Sequence, residues 1–500
     1  MNILAVDLGT TNIKVSVYDK NLTPLILLSE KVNYHRQGDI VEFNPDNYFN
    51  NIQNMIREAA KKAWQHNGLD VVQIVFTGQA ESLILLDENQ QLTYPGISWL
   101  DMRSRKECEE LASIFDNEQC YRITGQPEII PTWPITKMLW LRKNQPEVFS
   151  STAYYLMIKD YIVFRLSGVM AGDHSIYSFS HYFNITEKCY WQEILDYCGI
   201  NKEQLPALVE PGTVVGTLLP EFTQIQQGLS VNTKVNIGTL DHFAAMIGTG
   251  NITEGVISES AGTVLSLATL IYHPVFEGSR LPVNCGPFPN SYVLLPVCES
   301  GGFSLEWYKN HFMPEVSFQE MNQGITERAS QSPPIFLPYL TGVNAPDFNE
   351  QASGVFFGIH ASHTRDDFSL AIMQGVACLL RKNIDAMHDR GIEIKKIISV
   401  GGGAKSTLWT QIKTDMTQLE FAIPENEEAA CFGAAMMGAV SEGYIRCFEE
   451  AVLQHINIAR THVPKIRKDY QATYQVFTAL YDSLQSVYAL NARTRPITSH

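Results

Sequence analysis

Two short turns, one in each half of the chain, constrain the fold more than any other feature of the sequence. The first is D-L-G-T-T at residues 7–11, and the second is S-A-G-T-V at residues 260–264. Each turn lies between apolar segments that are typical of β-strands, so the pattern predicts a strand-turn-strand unit at both places. A repeated unit of this kind predicts a duplicated domain whose two halves face each other across a cleft.

The remaining chain alternates predicted strands with predicted helices. Strand patterns lie at 2–7, 13–18, 71–78, 82–92 and 255–271. Helix patterns lie at 104–115, 135–149, 365–387 and 469–491. Strand-turn-helix patterns lie at 234–250 and 394–412. Pro146 is expected to stop the second of these helices, and Thr364 with Asp367 resembles a capping box. Interleaved strands and helices favour an α/β fold.

Size and composition predict a globular protein of two or three domains. Of the 500 residues, 45% are hydrophobic and 18% are charged, and the net charge is −16. That charge argues against nucleic-acid and anionic-membrane contacts, but not against a small anionic ligand. The nine cysteines are scattered without zinc spacing, and no apolar run has bilayer length. We therefore expect a reduced, cytoplasmic protein without a secretory signal.

Acidic residues lie at the ends of two of the predicted strands. The amides and hydroxyls after Asp7 could face a phosphate while Asp7 holds Mg²⁺, or Asp7 could bond to the amides of its own turn. Asp241 lies between a predicted strand and a predicted helix. There it could accept a hydroxyl proton during phosphoryl transfer, or it could cap the helix. The neighbouring His242 is expected to be a structural hydrogen-bond donor.

Three further segments follow predicted strands. V-G-G-G-A-K-S at 400–406 matches neither G-x-x-x-x-G-K-[ST] nor G-x-G-x-x-G, but its glycines would let a nucleotide lie flat on the backbone. G-Q-A-E-S at 78–82 and S-W-L-D-M-R-S at 98–104 combine an amide, acids, an indole and the guanidinium of Arg103, a mixture that suits a polyhydroxylated ligand. The alternatives are a plain turn for the first segment and surface loops with local ion pairs for the others.

Longer motifs complete the set: T-W-P-I-T-K-M-L-W-L-R-K-N at 132–144, G-V-F-F-G-I-H-A-S-H-T-R-D-D-F-S-L-A-I-M-Q at 354–374, and E-E-A-A-C-F-G-A-A-M-M-G at 427–438. From Ile3 to about Ile445, the ordered motifs resemble the FGGY family of carbohydrate kinases. The first two of the longer motifs are similar to the two family signatures. Lys137 and Trp140 occupy signature positions, whereas Thr132 departs from the small or aromatic residue usual there. The third motif and the glycine run resemble the adenosine-binding part.

The resemblance implies an α/β fold of duplicated actin-like (ribonuclease H-like) ATPase domains around a central cleft. It implies a sugar-binding domain at 1–245, a nucleotide-binding domain at 246–500, and an ATP-dependent kinase of a family in which homodimers occur. Asp241 resembles the base that deprotonates the sugar hydroxyl, and Asp7 resembles the Mg²⁺-associated aspartate. Residues that would contact the nucleotide are Thr10, Thr11, Gly262, Thr263, Gly402, Gly403 and Ala404. Residues that would contact the sugar are Gln79, Ala80, Glu81, Trp99, Asp101 and Asp241.

The same resemblance suggests a substrate class. G-Q-A-E-S stands where xylulokinases resemble G-Q-M-H-G and glycerol kinases resemble N-Q-R-E-T. Glu81 agrees with the glycerol kinases, but Ala80 replaces their arginine. P-Y-L-T-G-V-N-A-P-D-F-N at 338–349 looks more like xylulokinase or gluconokinase, although G-V-N-A-P departs from the usual G-E-R-x-P. We expect a ketopentose such as xylulose, with gluconate, glycerol or another polyol as the alternative.

Two other functional classes are weighed against the kinase. A chaperone- or filament-type ATPase could use the same fold, but the signatures resemble those of sugar kinases. A sensor that binds sugar without phosphorylating it is disfavoured because both Asp7 and Asp241 are present. Comparison of the two turns places Ser260 opposite Asp7, so only the first turn carries an acid. The pattern therefore predicts two unequal phosphate clamps.

Overall fold

The computed structural model describes residues 1–223, 227–298, 300–329, 332–426 and 428–494. The strands of the first half are β1 (Asn2–Leu8), β2 (Asn12–Asp19), β3 (Pro24–Lys31), β4 (His35–Gln37), β5 (Ile40–Phe43), β6 (Val71–Gly78), β7 (Leu83–Leu86), β8 (Gly96–Ile97), β9 (Tyr154–Met157), β10 (Ala171–Asp173), β11 (Phe183–Asn184), β12 (Cys189–Tyr190), β13 (Ala207–Val209), β14 (Val214–Thr217) and β15 (Lys234–Leu240). Its helices are α1 (Pro45–Asn67), α2 (Arg105–Ile114), α3 (Asn117–Thr124), α4 (Pro134–Asn144), α5 (Pro146–Ser151), α6 (Ile158–Ser167), α7 (His174–Tyr177), α8 (Gln192–Cys198) and α9 (Asp241–Gly248).

The second half continues the alternation. Its strands are β16 (Val256–Ala261), β17 (Leu265–Ile271), β18 (Val283–Cys285), β19 (Tyr292–Leu294), β20 (Val297–Cys298), β21 (Ile335–Leu337), β22 (Val355–Phe357), β23 (Lys396–Val400), β24 (Glu420–Pro424) and β25 (Ile458–His462). Its helices are α10 (Gly302–Phe312), α11 (Phe318–Arg328), α12 (Arg365–His388), α13 (Thr407–Thr417), α14 (Ala429–Ser441), α15 (Phe448–His455) and α16 (Lys468–Thr494). Short 3₁₀ turns occupy Lys202–Gln204, Pro220–Phe222 and Gly402–Lys405.

A six-stranded sheet forms the centre of the first half, in the order β14-β15-β6-β1-β2-β3. β1, β6 and β15 are parallel, whereas β1-β2 and β2-β3 are antiparallel pairs. The side chains of β1 are buried on both faces of the sheet. Leu4 and Val6 share a core with α1, and Ile3 and Ala5 share one with α14. Burial on both faces explains why the first strand reads as a continuous apolar run.

An eight-stranded sheet in the second half repeats this arrangement. Its order is β18-β19-β17-β16-β23-β24-β25, with β20 paired to β17. The five strands β19-β17-β16-β23-β24 match β3-β2-β1-β6-β15 in order and in direction. The two glycine-threonine turns connect corresponding strands, β1 to β2 and β16 to β17. The predicted α/β class and the predicted duplication are therefore confirmed.

Helices α9 and α14 follow corresponding strands and cross at two glycines. A Cβ atom on Gly248 would lie 2.0 Å from the carbonyl oxygen of Ala429, and one on Gly433 would lie 1.8 Å from that of Ala244. Only glycine allows the two backbones to approach so closely. α14 thus belongs to the second half by sequence but packs on α9 and on β1 of the first half. The domain boundary at residue 245 stays a prediction.

Some local predictions are modified by the structure. α4 ends at Asn144, and Pro146 begins α5, because proline is well tolerated in the first turn of a helix. The predicted capping box is present, with the Thr364 amide donating to the Asp367 carboxylate at 2.7 Å. The C-terminal helix extends to Thr494, and the end that was predicted to fray, residues 495–500, lies outside the described residues. Within the described ranges, no helix combines the length and the apolar character needed to cross a bilayer.

Candidate active site

The carboxyl ends of three neighbouring parallel strands form one edge of the first sheet. The pairing register places the last residues of β1, β6 and β15 in a single row. A Cβ atom on Gly78 would lie 2.5 Å from the Cβ of Leu8, so glycine is needed where β6 approaches β1. Asp7 lies one residue before this row, and Gln79 and Asp241 follow it directly. The register therefore brings the residues predicted for metal, sugar and base to one sheet edge, where ligands of open α/β sheets bind.

Asp7 lies in an environment that a cation would stabilise. Its Oδ1 is buried and has no hydrogen-bond partner in the described part of the protein. Burial, and then the charge of Asp241, raises the pKa of Asp7 to about 8, while Lys14 opposes the increase. The described residues contain no group of three or more His, Cys, Asp or Glu able to hold a metal. A cation at Asp7 would therefore keep water or phosphate oxygens as its other ligands, as Mg²⁺ commonly does.

Asp241 is the first residue of α9, and Leu240 occupies the N-cap position. Asp241 is therefore one residue past the cap position, and the Leu240 side chain makes no capping hydrogen bond. The Oδ1 atom of Asp241 accepts a 2.6 Å hydrogen bond from the amide of His242. The carboxylate lies at the helix N-terminus, where the helix dipole favours a negative charge. A carboxylate that acts as a general base must carry that charge.

The first glycine-threonine turn is closed tightly. A Cβ atom on Gly9 would lie 2.6 Å from the carbonyl oxygen of Asn12, so the turn requires glycine there. The hydroxyl of Thr10 accepts a 2.9 Å hydrogen bond from the indole Nε1 of Trp99. Thr11 is exposed. Trp99, which was predicted to face the sugar, is therefore bonded to the turn that was predicted to face the phosphates.

The segment after β6 presents one amide and one unusual carboxylate. The side-chain oxygen of Gln79 accepts a 3.1 Å hydrogen bond from Ser82, and Ala80 is buried and apolar. Glu81 has a left-handed backbone, with φ of 68°, and its Oε2 is buried without a partner in the described structure. Burial raises the pKa of Glu81 to about 7, while Lys137 opposes the increase. A carboxylate oxygen without a protein partner is able to accept a hydrogen bond from a ligand hydroxyl.

Asp101 and Arg103 form an internal ion pair. Asp101 is completely buried and accepts hydrogen bonds from the Val41 amide at 2.6 Å and from the Arg103 guanidinium at 2.7 and 2.8 Å. Arg103 also pairs with Glu42 at 2.7 Å and stacks over the Trp140 ring at 5.0 Å. These contacts differ from the surface ion pairs of the alternative interpretation. The contact of Asp101 with the sugar stays a prediction. The hydrogen bonds that its carboxylate makes in the structure are all to other residues of the protein.

A cleft of about 640 Å³ lies at the corresponding edge of the second sheet. It is lined by four of the residues predicted for nucleotide binding, which are Gly262, Thr263, Gly402 and Gly403. A Cβ atom on Gly262 or Gly402 would meet open space, so both backbones face the cleft. Ala404 is buried, and its carbonyl oxygen accepts a 3.0 Å hydrogen bond from Arg460. The nucleotide roles of these residues stay predictions.

Several residues of the candidate site were not predicted from the sequence. Lys14 lies opposite Asp7 in the β1-β2 pairing and forms a 2.6 Å ion pair with Glu428. The hairpin predicted from the first turn contains the signal for Lys14, because antiparallel pairing sets it opposite Asp7. No local pattern indicates Glu428, which lies 414 residues away. The cleft of the second half is also lined by Glu306 and Asn322, which no motif singled out.

The segment 427–438 was interpreted as part of the adenosine site. Glu427 lies outside the described residues. The following residues form α14, which packs on α9 and on the first sheet and contributes no described residue to the 640 Å³ cleft. In the described structure this helix joins the two halves, and its part in the adenosine site stays a prediction.

Comparison with known proteins agrees with the motifs. Models of the FGGY family of carbohydrate kinases match residues 2–248 (N-terminal domain) and 281–442 (C-terminal domain). The xylulose kinase of Bacillus subtilis (strain 168) is 29% identical over 500 residues, covering 97% of this chain and 96% of that protein. The gluconokinase of the same strain is 28% identical over 505 residues, covering 97% and 96%.

A solved structure shows the same fold. The ligand-bound xylulose kinase from Lactobacillus acidophilus has a TM-score of 0.90 at 24% identity, covering 98% of this chain and 99% of that chain. Because two family models together match most of this sequence, the assignment does not depend on one relative. The chain belongs to the FGGY family of carbohydrate kinases and is a sugar phosphotransferase.

Proposed function

We propose that this enzyme transfers the γ-phosphoryl group of ATP to a hydroxyl of a small neutral sugar, a ketopentose such as xylulose. The observation that carries the proposal is the row formed by the ends of β1, β6 and β15, which supports a common site for Asp7, Gln79 and Asp241. Kinases of this family use ATP, and the cleft beside the second turn is large enough for a nucleotide.

Mg²⁺ is part of the proposal. The unpartnered buried oxygen of Asp7 and the adjacent phosphate turn fit a hard cation that shares its ligands with water and phosphate. When bound, Mg²⁺ would offset negative charge on the phosphate oxygens. Thr10, Thr11, Gly262 and Thr263 would contact those phosphates through hydroxyls and backbone amides, in the manner of two opposed clamps.

In the proposed reaction, Asp241 accepts the proton of the sugar hydroxyl. The hydroxyl oxygen forms a bond to the γ-phosphorus, and the bond from that phosphorus to the β,γ-bridging oxygen breaks, so ADP leaves with the electron pair. The residues contribute mainly by positioning and electrostatics, which supply most of the catalysis in phosphoryl transfer. Closure of the two halves would exclude water that competes with the sugar.

The charges near the sugar segment favour a neutral substrate over an aldonate. Glu81 presents a buried carboxylate oxygen without a hydrogen-bond partner in the described structure. With a pKa of about 7 it is partly ionised near neutral pH, and its ionised form would repel the carboxylate of gluconate. The nearby cations already face protein groups. Lys137 is buried, donates to the Ser98 carbonyl at 2.9 Å and acts on the charge of Glu81, and Arg103 pairs with Asp101 and Glu42. Although one relative of similar identity is a gluconokinase, these contacts support the xylulose kinases as the better guide.

A coupled assay of ADP release tests the proposal. D-xylulose, glycerol and D-gluconate are compared as acceptors for the wild-type enzyme and for Asp241→Asn. We expect the highest kcat/KM with D-xylulose, and for Asp241→Asn we expect retained ATP binding with loss of most turnover. A flat response across the three acceptors would refute the small-sugar assignment. Near-normal phosphorylation by Asp241→Asn would refute the assignment of the base.

Two further properties belong to the proposal. We infer a cytoplasmic location, because the reaction consumes ATP and cysteines such as Cys108 and Cys189 are free thiols. The homodimer implied by the family resemblance stays a prediction. Light scattering on the full chain tests it directly, since a dimer would double the measured mass.

A further inference from the structure

We propose that three fully buried polar side chains, Lys159, Asp173 and Ser175, hold the end of β15 so that Asp241 lies in its reactive position. They act as positioning residues and do not touch the substrate. The inference rests on the proposed function, because it takes Asp241 to be the base. It is carried by the irregular end of β15 and by a chain of hydrogen bonds that spans it.

β15 is irregular just before Asp241. Its pairing with β6 shifts register between Asn236 and Thr239. Gly238 lies within the shift and has a φ of 61°, and a Cβ atom there would lie 1.6 Å from the carbonyl oxygen of Phe76. An irregularity of this kind locally disrupts the ladder and changes the direction of the strand. The direction in which Asp241 leaves the sheet therefore depends on how this segment is held.

The three side chains bridge the irregular segment from one side to the other. The Lys159 ammonium donates to the carbonyl oxygen of Ile237 at 2.9 Å and pairs with Asp173 at 2.5 Å. Asp173 accepts a hydrogen bond from the hydroxyl of Ser175. The Ser175 oxygen then accepts a 3.0 Å hydrogen bond from the amide of Leu240. One continuous chain of hydrogen bonds thus connects the carbonyl of residue 237 with the amide immediately before Asp241.

The hydrogen-bonding capacity of Ser175 is completely used. Its single proton goes to Asp173, so at its 2.9 Å contact with the Thr239 hydroxyl it must be the acceptor. Its oxygen therefore accepts from both Thr239 and the Leu240 amide. All of these side chains are buried without measurable exposure, so no water replaces a lost partner at low cost.

A purely structural role is the competing explanation, and Ser178 provides a matched control for it. Ser175 lies in the short helix α7, and Ser178 directly follows that helix and is 1% exposed. Its hydroxyl donates to the His174 carbonyl at 2.8 Å and accepts from the Cys285 amide at 2.9 Å. Ser178→Ala therefore removes two buried hydrogen bonds to the backbone. Its cost in stability should match that of Ser175→Ala, but it leaves the contacts of β15 unchanged.

The test measures kcat and both KM values for Ser175→Ala, Ser178→Ala, Asp241→Asn and the double variant Ser175→Ala/Asp241→Asn. For Ser175→Ala we expect kcat to fall by about ten- to a hundredfold with little change in either KM, because a slightly misplaced base loses orientation rather than affinity. Ser178→Ala should keep the wild-type kcat. The double variant should be no slower than Asp241→Asn alone, because Ser175 acts through Asp241.

The outcomes separate this inference from the proposed function. A wild-type kcat in Ser175→Ala, together with an inactive Asp241→Asn, would overturn only the inference. Equal losses of kcat in Ser175→Ala and Ser178→Ala would do the same. So would a loss of kcat in the double variant equal to the product of the two single losses. Normal turnover of Asp241→Asn alone would overturn the base assignment, and the inference with it. If Ser175→Ala does not fold, Ser175→Cys serves instead, because sulfur keeps most of the volume but is a weak acceptor.

Discussion

The indole Nε1 of Trp99 donates a 2.9 Å hydrogen bond to the hydroxyl oxygen of Thr10. A residue of the predicted sugar segment is therefore bonded directly to the predicted phosphate turn. The bond offers a physical path by which occupation of one site affects the geometry of the other. It orients the Thr10 hydroxyl, because the oxygen that accepts from the indole keeps its own proton for another acceptor.

Trp99→Phe tests this bond. Loss of the donor frees the Thr10 hydroxyl, and we expect kcat/KM for ATP to fall by about three- to tenfold, the value of a hydrogen bond of about 1 kcal/mol. Steady-state kinetics with the sugar held saturating measure the effect. Thr10→Val should abolish any further effect of Trp99→Phe. Trp140→Phe is the control, because that indole lies under Arg103, and an equal loss there would contradict the prediction.

Asp7→Ala is expected to raise the Mg²⁺ concentration needed for half-maximal rate, while the KM for the sugar changes little. The reason is that Asp7 carries the unpartnered buried oxygen that fits a cation. A titration of initial rate against free Mg²⁺ at fixed ATP measures this shift. Asp241→Asn should lower kcat without moving the Mg²⁺ midpoint. Equal loss of sugar affinity and of the response to Mg²⁺ in Asp7→Ala would contradict the assignment of separate metal and base roles to Asp7 and Asp241.

His181 is expected to weaken the fold in acid. Its ring nitrogens have no partner in the described structure, and burial lowers its pKa to about 3. The unfolded chain takes up a proton near pH 6.5 and the folded chain does not, so stability falls as the pH drops from 6.5 toward 3. Between pH 7 and pH 5, this residue should account for a loss of about 2 kcal/mol.

His181→Phe removes the titration but retains a ring to stack on Trp133, which lies 6.1 Å away between ring centroids. Urea denaturation at pH 7 and pH 5 measures the free energy of unfolding of both proteins. We expect the variant to lose less stability than the wild type between these values. Identical pH dependence of the two proteins would refute the assignment.

Gly433→Ala should destabilise the crossing of α9 and α14. Its Cβ atom would lie 1.8 Å from the Ala244 carbonyl oxygen, a backbone atom that cannot rotate away. We expect a loss of about 1–3 kcal/mol, the usual range for overpacking, in a denaturation experiment.

Gly438→Ala in the same helix is the matched control. There the nearest atoms are methyl groups of Ile3 and Val75, at 2.8 and 2.9 Å. Side-chain atoms adjust more readily than a backbone, and alanine gains about 1 kcal/mol of helix propensity over glycine. The loss should therefore be smaller than in Gly433→Ala, and a larger loss would contradict the role assigned to the crossing.

Local signals predicted much of this structure because they depend on neighbours in the sequence. The Thr364 and Asp367 pair predicted a helix start that the structure contains. The two glycine-threonine turns predicted two hairpins and, through them, the duplicated sheet. Period and turn chemistry act over a few residues, so they are visible without the fold.

Other relationships depend on contacts between distant residues. The residue type of Asp101 suits a sugar ligand, but only the fold shows that its carboxylate also accepts hydrogen bonds from the Val41 amide and Arg103. The Lys14–Glu428 ion pair joins positions 414 residues apart. No local pattern carries this information, because the partner is chosen by strand register and helix packing.

By itself, the sequence determined the α/β class, the duplication, the family and the residue types suited to phosphoryl transfer. Tertiary structure decided which of those residues meet. Parallel β1, β6 and β15 bring Asp7, Gln79 and Asp241 to one edge, although the residues lie far apart in the chain. It also decided how Asp241 leaves its strand, because the Ser175 hydroxyl and the Leu240 amide meet only when α7 packs on β15. The physical reason is that side-chain chemistry belongs to the residue, whereas its direction and partners belong to the packed fold.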